Sequence, residues 1–227
     1  MVKKSIVIGV KMYGKDNILI VCGLEQETQG QLDDWNVLYT GVGKINATYK
    51  LTELFGTYHS RPAVRRNHPL VINYGTAGSR ELPVGELVDC TRFIQRDMNV
   101  SGMGFHRGQT PFDNDIPLEL DFRNKPLNVD WGREHHINTI KKHLVCGSGD
   151  NFVDGVPMES YIFGGEWKCD VVDMEAYALA KVCYHYKVPF ISFKYITDNA
   201  DEHSVGDWED NLGKGIVEFK ERILDKI

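Results

Sequence analysis

Short apolar runs alternate with helix-length segments along this chain. The clearest unit is residues 171–201, VVDMEAYALAKVCYHYKVPFISFKYITDNAD. Its pattern predicts a short strand, a helix, a turn at Pro189 and a buried strand that ends in polar residues. Strand and helix alternating in one short unit point to a layered α/β sheet. In such sheets ligands bind outside the carboxyl ends of the strands. Both strand ends here carry acids. Glu175 follows Val171-Val172, and Asp198 follows Phe190-Ile191-Ser192-Phe193. Two carboxylates along one sheet edge suit a reaction in which one acid donates a proton and the other holds a hydroxyl-rich substrate. Each also has a plain structural reading: Asp198 as a cap on the turn after its strand, and Glu175 as an acid at a helix N-terminus.

The remaining segments extend the same alternation. Residues 5–10 and 17–22 predict strands separated by a turn at 14–17. The second runs into Gly23-Leu24-Glu25-Gln26-Glu27-Thr28, where the acids are either solvated or, at Glu27, directed back over the sheet edge. Residues 36–40 predict a strand, and Gly41-Val42-Gly43-Lys44 opens a helix through about Phe55. That turn is an incomplete dinucleotide fingerprint and not a P-loop, so it reads as backbone approaching a ligand or a neighbouring strand. The basic stretch 59–68 predicts a solvated loop. Residues 70–74 predict a buried strand, followed by a turn at Gly75-Thr76-Ala77-Gly78-Ser79. Its amides and the Thr76 hydroxyl would face an anion or a polar oxygen. Residues 86–92 predict a strand. The glycine-rich stretch 98–109 carries Met103 and Phe105, as at a pocket mouth, a subunit contact or an ordinary surface excursion. Residues 137–143 predict a helix. Residues 144–146 predict a strand leading into Gly147-Ser148-Gly149-Asp150-Asn151-Phe152-Val153, where Phe152 is either a base-stacking ring or core.

Composition narrows the function classes. At 227 residues without a composition shift, residues 1–227 read as one domain. A chain of this size buries roughly 70–75% of its unfolded surface. The net charge of −6 comes without a basic stripe, against nucleic acid as a partner. The apolar run near the N-terminus is too short for a signal peptide. No stretch approaches the roughly 20 apolar residues of a membrane span, so no membrane partner is expected. The five cysteines are odd in number, widely spaced and lack a CxxC pair, as in reduced, cytoplasmic proteins. His135-His136 has no partner at zinc spacing, there is no HExxH, and there is no Gly-x-Ser-x-Gly elbow. No metal or cofactor is expected.

Taken in order, the strand ends carry Glu27, residues 41–44, 75–78 and 148–153, Met174-Glu175 and Thr197-Asp198. That series resembles the nucleoside phosphorylase/nucleosidase superfamily, and within it the 5'-methylthioadenosine/S-adenosylhomocysteine nucleosidases. The likeness runs from Gly23 onward. VVDMEAYALA followed by VPFISFKYITDNAD is its most specific part, supported by GVGKINA, VINYGTAGS and GSGDNFV. The resemblance implies a three-layer α/β/α sandwich with a central mixed, twisted sheet, usually assembled as a homodimer. RDMNVSGMGFHRGQ is similar to the segment that reaches a partner subunit in that family.

The resemblance also implies roles. Asp198 would protonate N7 of the departing purine, Glu175 would hold the ribose 2' and 3' hydroxyls, and Glu27 would accept a proton from the attacking water. Met174 would pack beneath the sugar, Phe152 would stack on the base, and the Val153 main chain would read its edge. Thr76 and Lys194 would flank the water, with Gly78 and Thr197 at the same strand ends. Leu24, Met103 and Phe105 would line the place of an apolar 5' substituent, with Trp208 closing over it. The partners implied are a purine nucleoside and water. Phosphorylases of the superfamily bind phosphate with arginines, one of them shortly before the small-residue turn. Here Asn73-Tyr74 precede it, and Glu25 and Glu27 would repel phosphate. Both features favour hydrolysis over phosphorolysis. Lys194 stands where arginine is common, keeping the charge but losing the planar fork. The competing readings are a phosphorylase and a non-catalytic nucleoside-binding protein.

Overall fold

The computed structural model describes residues 15–59, 69–123, 140, 142–155 and 168–227. Eight strands are present among them: β1 (Ile18–Cys22), β2 (Val37–Tyr39), β3 (Leu70–Gly78), β4 (Leu87–Gln95), β5 (Leu120–Asp121), β6 (Leu144–Ser148), β7 (Val171–Asp173) and β8 (Phe190–Asp198). The helices are α1 (Lys44–His59), α2 (Ala176–Tyr186), α3 (Ser204–Asn211) and α4 (Gly215–Arg222). The strand expected at 5–10 lies outside the described residues, as does the loop expected at 59–68 except for His59, which ends α1. So does most of the helix expected at 137–143. Its described end, Lys142 and His143, is not helical, and both amides donate to the carboxylate of Asp89.

The sheet is mixed. β1 runs parallel to β2 and β3, and β3 runs parallel to β8. β8 is antiparallel to β4, which is parallel to β6, and β6 is parallel to β7. β7 then returns to β3 at Gly78 and Val172, so five strands pair in a ring. β1 is buried at every position, as expected of a parallel strand covered on both faces. Alternate residues serve two cores. Leu19, Val21 and Val71 face Ala47, Leu51 and Phe55 of α1 and the apolar side of α2. Ile18, Ile20, Ile72 and Phe193 face Ile216 and Phe219 of α4. Period-2 strands thus place helices on both sides, giving the expected α/β/α layering.

α1 carries its core residues at 47, 51 and 55, one face of a helix. α2 ends where Lys187 turns left-handed, with φ 57°, and its amide bonds Cys183 O and Tyr184 O before Pro189. The small residues 75–78 continue β3 instead of turning. Gly75 through Ala77 pair in register with Lys194 through Ile196 of β8. At the end of that ladder a bulge skips Thr197 and sets Gly78 opposite Asp198. Bulges of this kind re-aim a side chain at a strand end. The carboxyl ends of β1, β3 and β8 lie side by side, and those of β6 and β7 meet them at Gly78.

Candidate active site

A cavity of about 280 Å³ opens at these strand ends. It is lined by Leu24, Glu27, Thr76, Gly78, Phe152, Val153, Met174, Glu175, Thr197, Asp198 and Trp208, all expected from the sequence. Residues separated by up to 184 positions in the chain therefore share one space. Val42 and Asn151, from the GVGK and GSGDNFV stretches, line it as well, together with Arg96, Asp173 and Val205, to which no local motif assigns a role.

Glu27 is 6% exposed and held by three donors. Its Oε2 accepts from Leu24 N at 3.0 Å, and its Oε1 from Thr76 N at 2.9 Å and Thr76 Oγ1 at 3.1 Å. The amide and hydroxyl expected to face a ligand anion thus serve the chain's own carboxylate. Gly75 makes the approach possible, because a Cβ there would stand 3.1 Å from Glu27 Oε1 and 3.3 Å from Lys194 Nζ.

Glu175 is the N-cap residue of α2, yet its side chain makes no cap hydrogen bond. Asp173 caps the helix in its place, accepting from Ala176 N at 2.8 Å. Glu175 Oε1 instead accepts from Gly43 N at 2.8 Å. Gly43 has φ 92°, a left-handed conformation that frees this amide at the start of α1. The GVGK turn therefore approaches a neighbouring acid, not a phosphate. Burial pushes the Glu175 carboxyl up to about 8; the Asp173 charge adds to this and Lys194 opposes it.

Asp198 is 3% exposed. Its Oδ1 accepts from Ala200 N at 3.0 Å and its Oδ2 from Thr197 Oγ1 at 2.8 Å. It caps its turn and also lines the cavity. Burial raises its carboxyl above the ordinary value, and the Asp207 charge acts the same way, against the hydrogen bonds to it. Gly78 gives it room: a Cβ there would stand 2.5 Å from Asp198 Oδ1.

Lys194, Met103 and Phe105 do not line the cavity of the single chain. Lys194 is 1% exposed and pairs with Asp173 Oδ2 at 2.8 Å. Burial alone would lower the lysine, but the Asp173 charge raises it above the usual range. Met103 is 64% exposed, and Phe105 stacks by its edge on Phe112 at 5.4 Å. Both belong to the loop between β4 and β5.

Arg96 was not anticipated. Its guanidinium bonds Gly147 O, Asn151 Oδ1 and Asn151 O, fixing the loop that carries Phe152. A Cβ at Gly149 would stand 2.7 Å from Arg96 Cζ, so the loop needs glycine there. No local pattern marks Arg96, since its partners lie some fifty residues away.

The family model for the phosphorylase superfamily matches residues 18–225. The 5'-methylthioadenosine/S-adenosylhomocysteine nucleosidase of Baumannia cicadellinicola subsp. Homalodisca coagulata is 32% identical over 184 residues, covering 78% of this chain and 73% of the relative. That of Anoxybacillus flavithermus is 30% identical over 200 residues, covering 86% and 81%. A Helicobacter pylori nucleosidase mutant, crystallised with 5'-methylthioadenosine in its active site, matches the fold with a TM-score of 0.75 at 21% identity, over 93% of this chain and 99% of that one. The chain belongs to the phosphorylase superfamily, in its 5'-methylthioadenosine/S-adenosylhomocysteine nucleosidase family.

Proposed function

We infer that this protein is a purine nucleosidase, an N-glycosyl hydrolase. It would cleave 5'-methylthioadenosine/S-adenosylhomocysteine-like nucleosides to free adenine and the 5-substituted ribose. The observation that carries the reading is the convergence of Glu27, Glu175 and Asp198 on one cavity that also holds Phe152 and Met174. Cleaving the bond develops positive charge on the sugar and negative charge on the base. Asp198, whose carboxyl burial raises toward the protonated form, gives its proton to N7 so that the base leaves neutral. In its ionised form, populated as pH rises toward about 8, Glu175 holds the ribose hydroxyls and stabilises the sugar cation through a preorganised charge. Glu27 takes the proton of the attacking water, and Thr76 holds Glu27 for that task. Phe152 stacks on the base, the Val153 main chain reads its edge, and Thr197 orients Asp198. Lys194 acts from beneath the site, through Asp173 and beside Glu27.

Water is favoured over phosphate because the donors that would cradle an anion at Thr76 already serve Glu27. A homodimer in the cytoplasm is part of the same reading. Val42, Ile45 and Tyr49 form an exposed apolar stripe on α1 and the turn before it, and Met103 and Phe112 are exposed in the loop after β4. Across such an interface Met103 and Phe105 would complete the partner's 5' end beside Leu24. Among the described residues no helix is long and apolar enough to cross a membrane. The five cysteines, all buried, form no disulfide.

The test is a panel of 5'-substituted adenosines and inosines, with and without phosphate, read by free-base release. Adenine release from 5'-methylthioadenosine in phosphate-free buffer supports the reading. Release only with phosphate, or binding without turnover, overturns it.

A further inference from the structure

The geometry points to Trp208 as a positioning residue for Glu27, acting through the hydroxyl of Thr76. Trp208 Nε1 donates to Thr76 Oγ1 at 3.1 Å, and Thr76 Oγ1 lies 3.1 Å from Glu27 Oε1. The direction of this chain follows from chemistry. An indole N–H only donates, and an ionised carboxylate only accepts. Thr76 Oγ1 therefore accepts a hydrogen bond on one side and donates its own on the other. Without the indole, the hydroxyl would be free to rotate away from Glu27.

The consequence for Glu27 is a matter of acceptor sites. A carboxylate offers about four. Leu24 N, Thr76 N and Thr76 Oγ1 occupy three, which leaves about one for a water proton. The indole is itself fixed. Its ring meets Phe152 edge-on at 6.4 Å, and α3 is tied to the end of β8 by Asn211 Nδ2 donating to Thr197 O at 2.9 Å. Trp208 thus couples the ring expected to stack on the base to the expected general base, in addition to walling the cavity.

The inference rests on the nucleosidase reading. It is tested with wild type, Trp208→Phe, Thr76→Val, Thr76→Ser and the Trp208→Phe/Thr76→Val pair. Adenine release is measured from 5'-methylthioadenosine and from an analogue with a bulkier 5' group. Loss of one ordinary hydrogen bond lowers kcat about tenfold. Trp208→Phe should show that loss with KM within about twofold, equally for both substrates, and should add nothing in the Thr76→Val background. Thr76→Ser, which keeps the hydroxyl, should recover most of the kcat that Thr76→Val loses. A readout independent of turnover is exchange of the Trp208 indole proton, assigned by its absence in Trp208→Phe. It should be slow in wild type and Thr76→Ser and at least about tenfold faster in Thr76→Val. An unchanged kcat with a KM that rises with 5' size makes Trp208 a wall only and overturns the inference. So do additive losses in the double variant, or equal exchange in Thr76→Val. Wild type that releases no base from any nucleoside, with a protected indole proton, identifies the nucleosidase reading as the failed step and removes the inference with it.

Discussion

The ammonium of Lys194 lies 2.8 Å from Asp173 Oδ2, and both side chains are 1% exposed. Asp173 also caps α2 through Ala176 N and accepts from Ser148 Oγ. One buried acid thus neutralises a lysine in the central strand, ends a strand and starts a helix. Because Asp173 takes the cap, the neighbouring Glu175 turns into the cavity.

Breaking this pair should be costly. A lone buried charge is far less stable than a paired one, typically by about 3–5 kcal/mol. Asp173→Asn should lower unfolding stability by that order in urea titration. Lys194→Met alone should do likewise, while a double apolar replacement should recover much of the loss.

Glu175 should make stability depend on pH. Its folded value of about 8 lies above the ordinary 4.5, so the folded state holds the proton more tightly. Its favourable contribution is full below 4.5 and is lost as pH rises to about 8. Glu175→Gln carries no such charge, so its stability relative to wild type should rise across that window. Substrate affinity should move the opposite way in wild type. The ionised form accepts the ribose hydroxyls, so the Kd of a non-hydrolysable nucleoside analogue should fall as pH rises toward about 8, level off above it, and stay flat in Glu175→Gln.

Gly78→Ala tests the room left for Asp198. The added Cβ would stand 2.5 Å from Asp198 Oδ1 and must displace it. Base release should fall by at least about tenfold, with a smaller change in melting temperature, because the bulge leaves the rest of the ladder in register.

The strand-helix-strand unit at 171–198 was legible because its apolar runs and Pro189 punctuate it. The acids at 27, 175 and 198 were legible as strand-end groups. Local pattern ends β3 at Tyr74, four residues short, since Gly75 to Gly78 look like a turn locally and become strand only by pairing with β8. Lys194 within FISFKYI carries a usable signal: a charge in a fully buried strand needs a counter-charge, and Asp173 ends the preceding buried run. The positions of Arg96, the bulge at Gly78 and the Trp208–Thr76 bond depend on contacts fifty or more residues apart, and short-range pattern holds no trace of them.

The central claim is that a protonated carboxyl at position 198 drives departure of the purine. Asp198→Asn keeps a side-chain oxygen for Ala200 N, so the fold should persist. The most direct measurement is adenine release from 5'-methylthioadenosine in phosphate-free buffer, wild type against Asp198→Asn, across pH. The account predicts a loss of about 10²–10⁴-fold in the variant and a wild-type rate that falls as pH climbs past the raised Asp198 value. Near-equal turnover in a folded Asp198→Asn protein would contradict it.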